Sequence, residues 1–79
     1  MVRIPSDVRP AKLIKMMESL GFVRDRQSGS HVIMIHVGPP RRSIAVPAHQ
    51  TIKVGTLRSI LQSVSEQTGI EVADLTQKL

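Results

Sequence analysis

The segment SHVIMIHV, residues 30–37, decides the fold of this chain because it is apolar on both faces of an extended strand. Successive side chains of a strand point to opposite faces of the sheet, so a segment that is apolar on both faces is typical of a central strand. Before it, FVRDRQ (22–27) has the polar character of an edge strand, and Ser28-Gly29 predicts a tight hairpin turn. After it, RSIAVP (42–47) alternates between apolar and polar positions and ends at a proline. These three segments predict an antiparallel meander with residues 30–37 in the middle.

Helical patterns flank the predicted sheet on both sides in sequence. A first helix begins at Pro10, whose missing N–H suits the first helical position, and ends at Gly21 as a left-handed cap. A second helix follows the loop AHQTIKVGT (48–56) and ends at Gly69, and IEVADLTQKL (70–79) predicts a short last helix. Their apolar stripes are Leu13, Met16, Met17 and Leu20 in the first helix, Leu57, Ile60, Leu61 and Val64 in the second, and Val72, Leu75 and Leu79 in the third. We therefore expect one domain over residues 1–79 of class α+β, a two-layer helix, three-stranded antiparallel sheet, helix arrangement with a short extra C-terminal helix.

The charge is positive and unevenly distributed. The chain has 11 Lys and Arg against 6 Asp and Glu, a formal net charge of +5. Residues 1–58 hold ten bases and three acids, a net of +7, whereas residues 59–79 hold one base and three acids, a net of −2. A basic body favours a polyanionic partner such as nucleic acid. The absence of cysteine, of a membrane-length apolar run and of a leader sequence favours the cytoplasm.

Aromatic content narrows the kinds of nucleic-acid binding that are open to the chain. Phe22 is the only aromatic residue. Modules that read single strands by stacking bases on a sheet need several exposed rings. RNA binding by this chain would therefore rely on phosphate charge, backbone shape and hydroxyl contacts.

Three stretches together resemble one family. LIKMMESLGFVRDRQSGSHVIM, IAVPAH and GTLRSIL occur in the order and spacing of the HicA toxins, and the similarity covers residues 10–61. The resemblance implies a double-stranded-RNA-binding-like fold, an mRNA interferase of a type II toxin–antitoxin pair, a catalytic histidine at His31 and a HicB-type antitoxin. The segment QSVSEQ (62–67) makes the second helix longer than is usual in the family, which affects the expected docking of the tail more than the site.

His31 is the leading catalytic candidate. An imidazole exchanges protons near neutral pH, and RNA cleavage by the ribose 2′-hydroxyl needs such a base and an acid. The alternative is a hydrogen-bonded histidine at a strand end. His31 shares strand parity with Ile33, Ile35 and Val37, which look like core residues, so the sequence leaves its face of the sheet open.

The other two histidines have weaker claims. His49 is a second catalytic candidate, and a loop-capping role for it is equally compatible with the sequence. His36 lies five positions after His31, so the two rings face opposite sides of the strand and cannot share a metal ion. We expect no metal and no cofactor.

Several cations and backbone groups are candidates for contacts with RNA. Arg24 and Arg26 are expected on one face of the first strand with Asp25 opposite, while the N–H groups of Gly29 and Ser30 suit a phosphate oxygen. The further candidates are Arg41 and Arg42 before the third strand, and Lys53 and Arg58 around the start of the second helix. Two other functions remain open, a non-catalytic RNA-binding module of the same fold and a protein-binding adaptor.

Overall fold

The chain folds into a three-stranded antiparallel sheet with helices on one side, in a computed structural model that describes residues 3–79. In chain order the elements are α1 (Pro10–Ser19), β1 (Phe22–Ser28), β2 (His31–His36), β3 (Ser43–Pro47), α2 (Val54–Thr68) and α3 (Val72–Gln77). The strand order β1-β2-β3 confirms β2 as the central strand, and the expected α+β class is confirmed. The first two residues of the expected extended lead-in lie outside the described residues.

The hairpin between β1 and β2 turns one residue later than its sequence indicates. Ser28 pairs directly with His31, so the turn residues are Gly29 and Ser30 rather than Ser28 and Gly29. Gly29 has a φ of 58°, a left-handed conformation that glycine adopts at low cost. The position of the turn therefore follows from Gly29, which takes the left-handed conformation required at the first turn position.

The two faces of β2 have different surroundings. Val32 and Met34 are buried against the helices, whereas Ile33 and Ile35 on the opposite face are only half-buried. Val37, just after the strand, is 62% exposed. The expectation that the residues sharing parity with His31 belong to the core is wrong, because the helices cover one face of the sheet and leave the other open.

One hydrophobic core joins the covered face of the sheet to all three helices. The first helix contributes an apolar stripe from Leu13 to Met17, and Gly21 follows the helix at a φ of 96° as its left-handed cap. Burial of each large apolar side chain stabilises the fold by about 1.5–3 kcal/mol. The core residues are Val8, Leu13, Ile14, Met16, Met17, Phe22, Val32, Met34, Ile44, Val46, Ile52, Leu57, Ile60, Leu61, Val64 and Leu75.

The second helix begins earlier than the loop pattern indicates. Val54 is its first residue, where the sequence predicts loop to residue 56, and the left-handed Gly69 caps its end as expected. An isolated bridge between Val8 and Ile52 ties the segment before α1 to the segment before α2. The starts of both helices are thereby held close to each other. Within residues 3–79, none of the helices has the length and apolar character to cross a membrane.

Candidate functional site

His31 is exposed at the start of the central strand. It pairs with Ser28 on one side and Pro47 on the other, and it lies on the face of the sheet that the helices leave open. Within residues 3–79 its ring makes a single side-chain hydrogen bond, 3.4 Å from the Ser30 hydroxyl to Nδ1. The ring is therefore accessible to solvent and to a ligand, with no buried polar partner.

The loop that carries His49 adjoins the turn that carries His31. The Ala48 N–H donates a hydrogen bond to the Ser30 carbonyl at 2.7 Å, directly beside the pairing of His31 with Pro47. His49 is exposed and lines a cavity of about 370 Å³ together with Arg9 and the start of α1. Both exposed histidines therefore lie at the same end of the sheet.

His36 is a structural histidine at the opposite end of the same strand. The Gly38 N–H donates to its Nδ1 at 3.0 Å, which requires Nδ1 to be an acceptor, so Nε2 donates to the Leu20 carbonyl at 3.1 Å. The Gln67 amide also lies 3.2 Å from Nδ1, and the ring meets Phe22 edge-on with centroids 4.8 Å apart. These contacts tie together the α1–β1 turn, the β2–β3 turn and the end of α2. The expected placement of His31 and His36 on opposite faces is confirmed.

The arginines of β1 do not share a face. The pairing register shifts between Arg24 and Arg26, so Arg24 lies opposite buried Met34 while Arg26 lies opposite Ile33 on the open face. The expected alternation with Asp25 is wrong because this bulge adds a residue to the edge strand. Arg24 Nε lies 3.9 Å from Glu18, and Arg26 donates to the Asp25 carboxylate at 2.6 Å.

The remaining candidate cations divide between the two ends of the sheet. Arg41 and Arg42 precede β3 at the end far from His31, and Arg42 lies 3.5 Å from the Glu66 carboxylate. Lys53 directly precedes α2 and follows the His49 loop, whereas Arg58 is exposed one turn into that helix. The structure thus brings Gly29, Ser30 and His49 together with His31 and separates Arg41 and Arg42 from them.

Arg9 is a residue near the site that the sequence patterns did not single out. It precedes α1 and lines the His49 cavity, because the Val8–Ile52 bridge holds the two helix starts side by side. Its place before Pro10 marks it as a helix-start residue in the sequence, but its nearness to His49 depends on that long-range bridge. Among residues 3–79, no group of three or more His, Asp or Glu side chains is arranged to hold a metal ion.

The fold and the site define a small α+β protein with two exposed histidines at one end of an antiparallel sheet, in a basic setting. A family model described as the HicA toxin of bacterial toxin-antitoxin matches residues 10–70. The chain therefore belongs to the HicA toxin family, the toxins of toxin–antitoxin pairs, and an antitoxin is implied as its partner. The match runs from the start of α1 to just beyond the end of α2. It therefore extends past residue 61, where the stretch GTLRSIL ends. No curated protein sequence matches the chain.

Proposed function

We propose that this toxin is an mRNA interferase that cleaves single-stranded RNA by histidine acid–base chemistry, with His31 as the principal catalytic residue. The observation that carries the proposal is the solvent-exposed ring of His31 beside the Ser30–Ala48 hydrogen bond, which joins it to the loop of a second exposed histidine. Membership of a toxin family supports it, since such a protein must act on a component of the cell that produces it.

The proposed reaction is a transfer within the RNA strand. A base removes the proton of a ribose 2′-hydroxyl, the oxygen attacks the adjacent phosphorus, and the bond from phosphorus to the 5′-oxygen breaks while an acid protonates that oxygen. The products are a 2′,3′-cyclic phosphate and a 5′-hydroxyl. One imidazole does not easily perform both proton transfers in a single step, so we assign one to His31 and the other to His49.

Backbone and charged groups around the two histidines are suited to a phosphodiester. The N–H groups of Gly29 and Ser30 lie in an exposed turn directly before His31, and Lys53 stands at the start of α2 after the His49 loop. Positive groups fixed near the phosphate stabilise the additional negative charge of the transition state. The scissile phosphate would therefore lie between the Gly29-Ser30 turn and the loop that carries His49. The proposed reaction needs no metal ion.

We also propose a HicB-type antitoxin that covers His31 and the neighbouring basic surface, in the cytoplasm where both partners and mRNA meet. An acidic surface would match the net +7 of residues 1–58. Hydrogen exchange on the co-purified pair should show protection over residues 28–32. Protection confined to α3 would contradict direct coverage of the site.

The alternative is an RNA-binding module of the same fold without catalysis. It is favoured by the lack of a hydrogen-bonded acid next to either exposed ring within residues 3–79, since His31 bonds only to a hydroxyl. The two functions differ in whether the parent protein cuts the strand, so a cleavage assay on the parent separates them.

Substitution His31→Ala tests the proposal in an assay that follows cleavage of a long mixed RNA, with and without a chelator. We expect cleavage to fall by at least about 10²-fold because one proton transfer is lost. The free energy of unfolding should change by less than about 0.5 kcal/mol, since the ring is exposed.

The matched control is Gln62→Ala, an exposed position on α2 outside the site, which should cleave at the parental rate. The chelator should leave the parent active, and an all-DNA copy of the substrate should stay intact. Folded His31→Ala protein that cuts RNA at the parental rate would remove His31 from the reaction.

A further inference from the structure

A row of basic side chains follows the first helix on the surface opposite the open sheet face. Three cavities share lining residues there: Arg9 and Ala11 belong to both the His49 cavity and a cavity of about 670 Å³, and Lys12 joins the latter to a third of about 310 Å³. We call this series of adjoining cavities the α1 groove. Its basic residues are Arg3, Arg9, Lys12, Lys15 and Lys78.

The cations of the α1 groove are not neutralised by neighbouring acids. Within residues 3–79 the ion pairs use Arg24, Arg26 and Arg42, and none uses a cation of the groove. Among the described residues that line it, Asp7 is the single acidic side chain. Glu18, the only acid of α1, lies beside Arg24 instead. The groove therefore carries an excess of positive charge that is available to a ligand.

The charges around the first turns of α1 repel each other and the helix dipole. Arg9 occupies the N-cap, where the positive end of the helix dipole repels a cation, and the first turn has neither an acid nor a side-chain cap. Lys12 and Lys15 are three positions apart and so share one exposed face, where like charges repel. A bound phosphate would reduce both repulsions, so this charge pattern favours an anionic ligand.

We propose that the α1 groove holds the phosphate backbone of the single-stranded RNA whose cleavage site lies at His31 and His49. This inference rests on the proposed function and extends it from the reacting phosphate to its neighbours along the strand. The position of the cavities supports it, because the cavity that His49 lines shares Arg9 and Ala11 with the next one, which in turn shares Lys12 with the third. Phosphate contacts of this kind carry no sequence information, so cleavage specificity would have to arise elsewhere.

RNA is a better match for this groove than an acidic protein. An acidic partner that silences the toxin must cover the exposed histidines. The α1 groove lies on the helix layer, whereas His31 lies on the open face of the sheet, so a partner centred on the groove would not cover His31. An extended polyanion could connect the two, because Arg9 lines the same cavity as Ala48 and His49, next to the pairing of His31 with Pro47. The groove also presents lysines on flexible stems, which adapt to a moving backbone of phosphates.

The test compares two pairs of substitutions that remove the same charge. Lys12→Gln with Lys15→Gln removes the middle of the groove, and Arg41→Gln with Arg42→Gln removes two charges at the far end of the sheet. The probe is a short mixed-sequence RNA in which every 2′-hydroxyl is methylated, so that binding is measured without cleavage. Glutamine has a helix propensity close to that of lysine, so the groove pair should leave α1 intact. Arg41 and Arg42 are exposed and lie outside the helices and strands, so their replacement should also leave folding intact.

We expect the groove pair to bind this RNA about tenfold more weakly than the parent, with the slope of log affinity against log salt reduced by about 1.4. The Arg41 and Arg42 pair should lose less than half as much on either measure. Equal losses for both pairs would mean that only net charge matters and would overturn the groove. Should the groove pair melt below the parent, Lys78→Gln, which alters the groove from the α3 side, is the replacement variant, with a loss of about half that size expected.

The remaining outcomes separate this inference from the function on which it rests. If the parent does not bind RNA at all, the proposed function fails. If the parent binds RNA and the groove pair binds it equally well, the groove alone is wrong. If the groove pair loses affinity for polyglutamate while its affinity for RNA is unchanged, the groove is a site for an acidic protein, and the RNA assignment is overturned.

Discussion

The central strand carries a histidine at each end, and the two side chains have opposite surroundings. His31 is exposed and hydrogen-bonds only to a neighbouring hydroxyl, within the described part of the chain. His36 is half-buried, bonds to the Leu20 carbonyl and the Gly38 N–H, and packs against Phe22. One residue type thus serves two purposes on one strand, because strand parity sends one ring toward the helices and the other away from them.

The contrast between the two ends extends beyond the histidines. At the His36 end, backbone groups of the α1–β1 and β2–β3 turns hydrogen-bond to the imidazole ring, and these contacts stabilise the fold. At the His31 end, an exposed turn meets an exposed loop beside two helix starts, which leaves backbone N–H groups and cations accessible. Substitutions at the two ends should therefore affect different quantities, stability at one end and activity at the other.

The largest stability effect is expected for His36→Ala. The substitution removes two hydrogen bonds to backbone groups and the contact with Phe22, so the free energy of unfolding should fall by about 2–4 kcal/mol. Urea unfolding of this variant beside His31→Ala makes the comparison directly. A loss below about 1 kcal/mol for His36→Ala would show that the ring is not the structural link between the turns.

A smaller effect at the same end is expected for Gly38→Ala. A Cβ at residue 38 would lie 3.1 Å from His36 Cε1 and 3.3 Å from its Nδ1, closer than ordinary contact, so the ring or the turn must shift. We expect a loss of about 1–2 kcal/mol in the free energy of unfolding.

The matched control is Gly55→Ala in the first turn of α2, where a Cβ meets nothing within 4 Å. This change should leave stability unchanged or raise it by up to about 1 kcal/mol, because alanine is the better helix former. If Gly38→Ala and Gly55→Ala gave the same melting temperature, close packing around His36 would have no energetic weight.

The helices and strands were predictable from local patterns because each pattern has a direct local cause. Apolar spacing along residues 13–20 marks a helix, and the apolar run of β2 marks a central strand, whatever else the chain does. The hairpin turn was misplaced by one residue because both Ser28-Gly29 and Gly29-Ser30 contain the glycine that can adopt the left-handed conformation of a two-residue turn. Only the pairing of Ser28 with His31 distinguishes them.

The candidate site was predictable in its residue types and less so in its arrangement. The exposed Gly29-Ser30-His31 element and His49 were identified from motif and chemistry. The faces of Arg24 and Arg26 were not, because a bulge in an edge strand reverses parity without a clear signal in the sequence. The basic groove along α1 was also missed, since it depends on cations from the lead-in, α1 and the C-terminal segment that meet only in the folded chain.

The sequence by itself determined the class of fold, the central strand, the basic character and the family, because periodicity, charge and motif spacing are properties of the chain. The tertiary structure decided which face His31 occupies, that His49 lies at the same end, and that His36 is structural. Each of these depends on which side of the sheet the helices cover and on hydrogen bonds between residues distant in the chain, such as Ala48 to Ser30 and His36 to Leu20. Local sequence patterns do not predict these hydrogen bonds, because the bonds form only when the helix layer packs on the sheet.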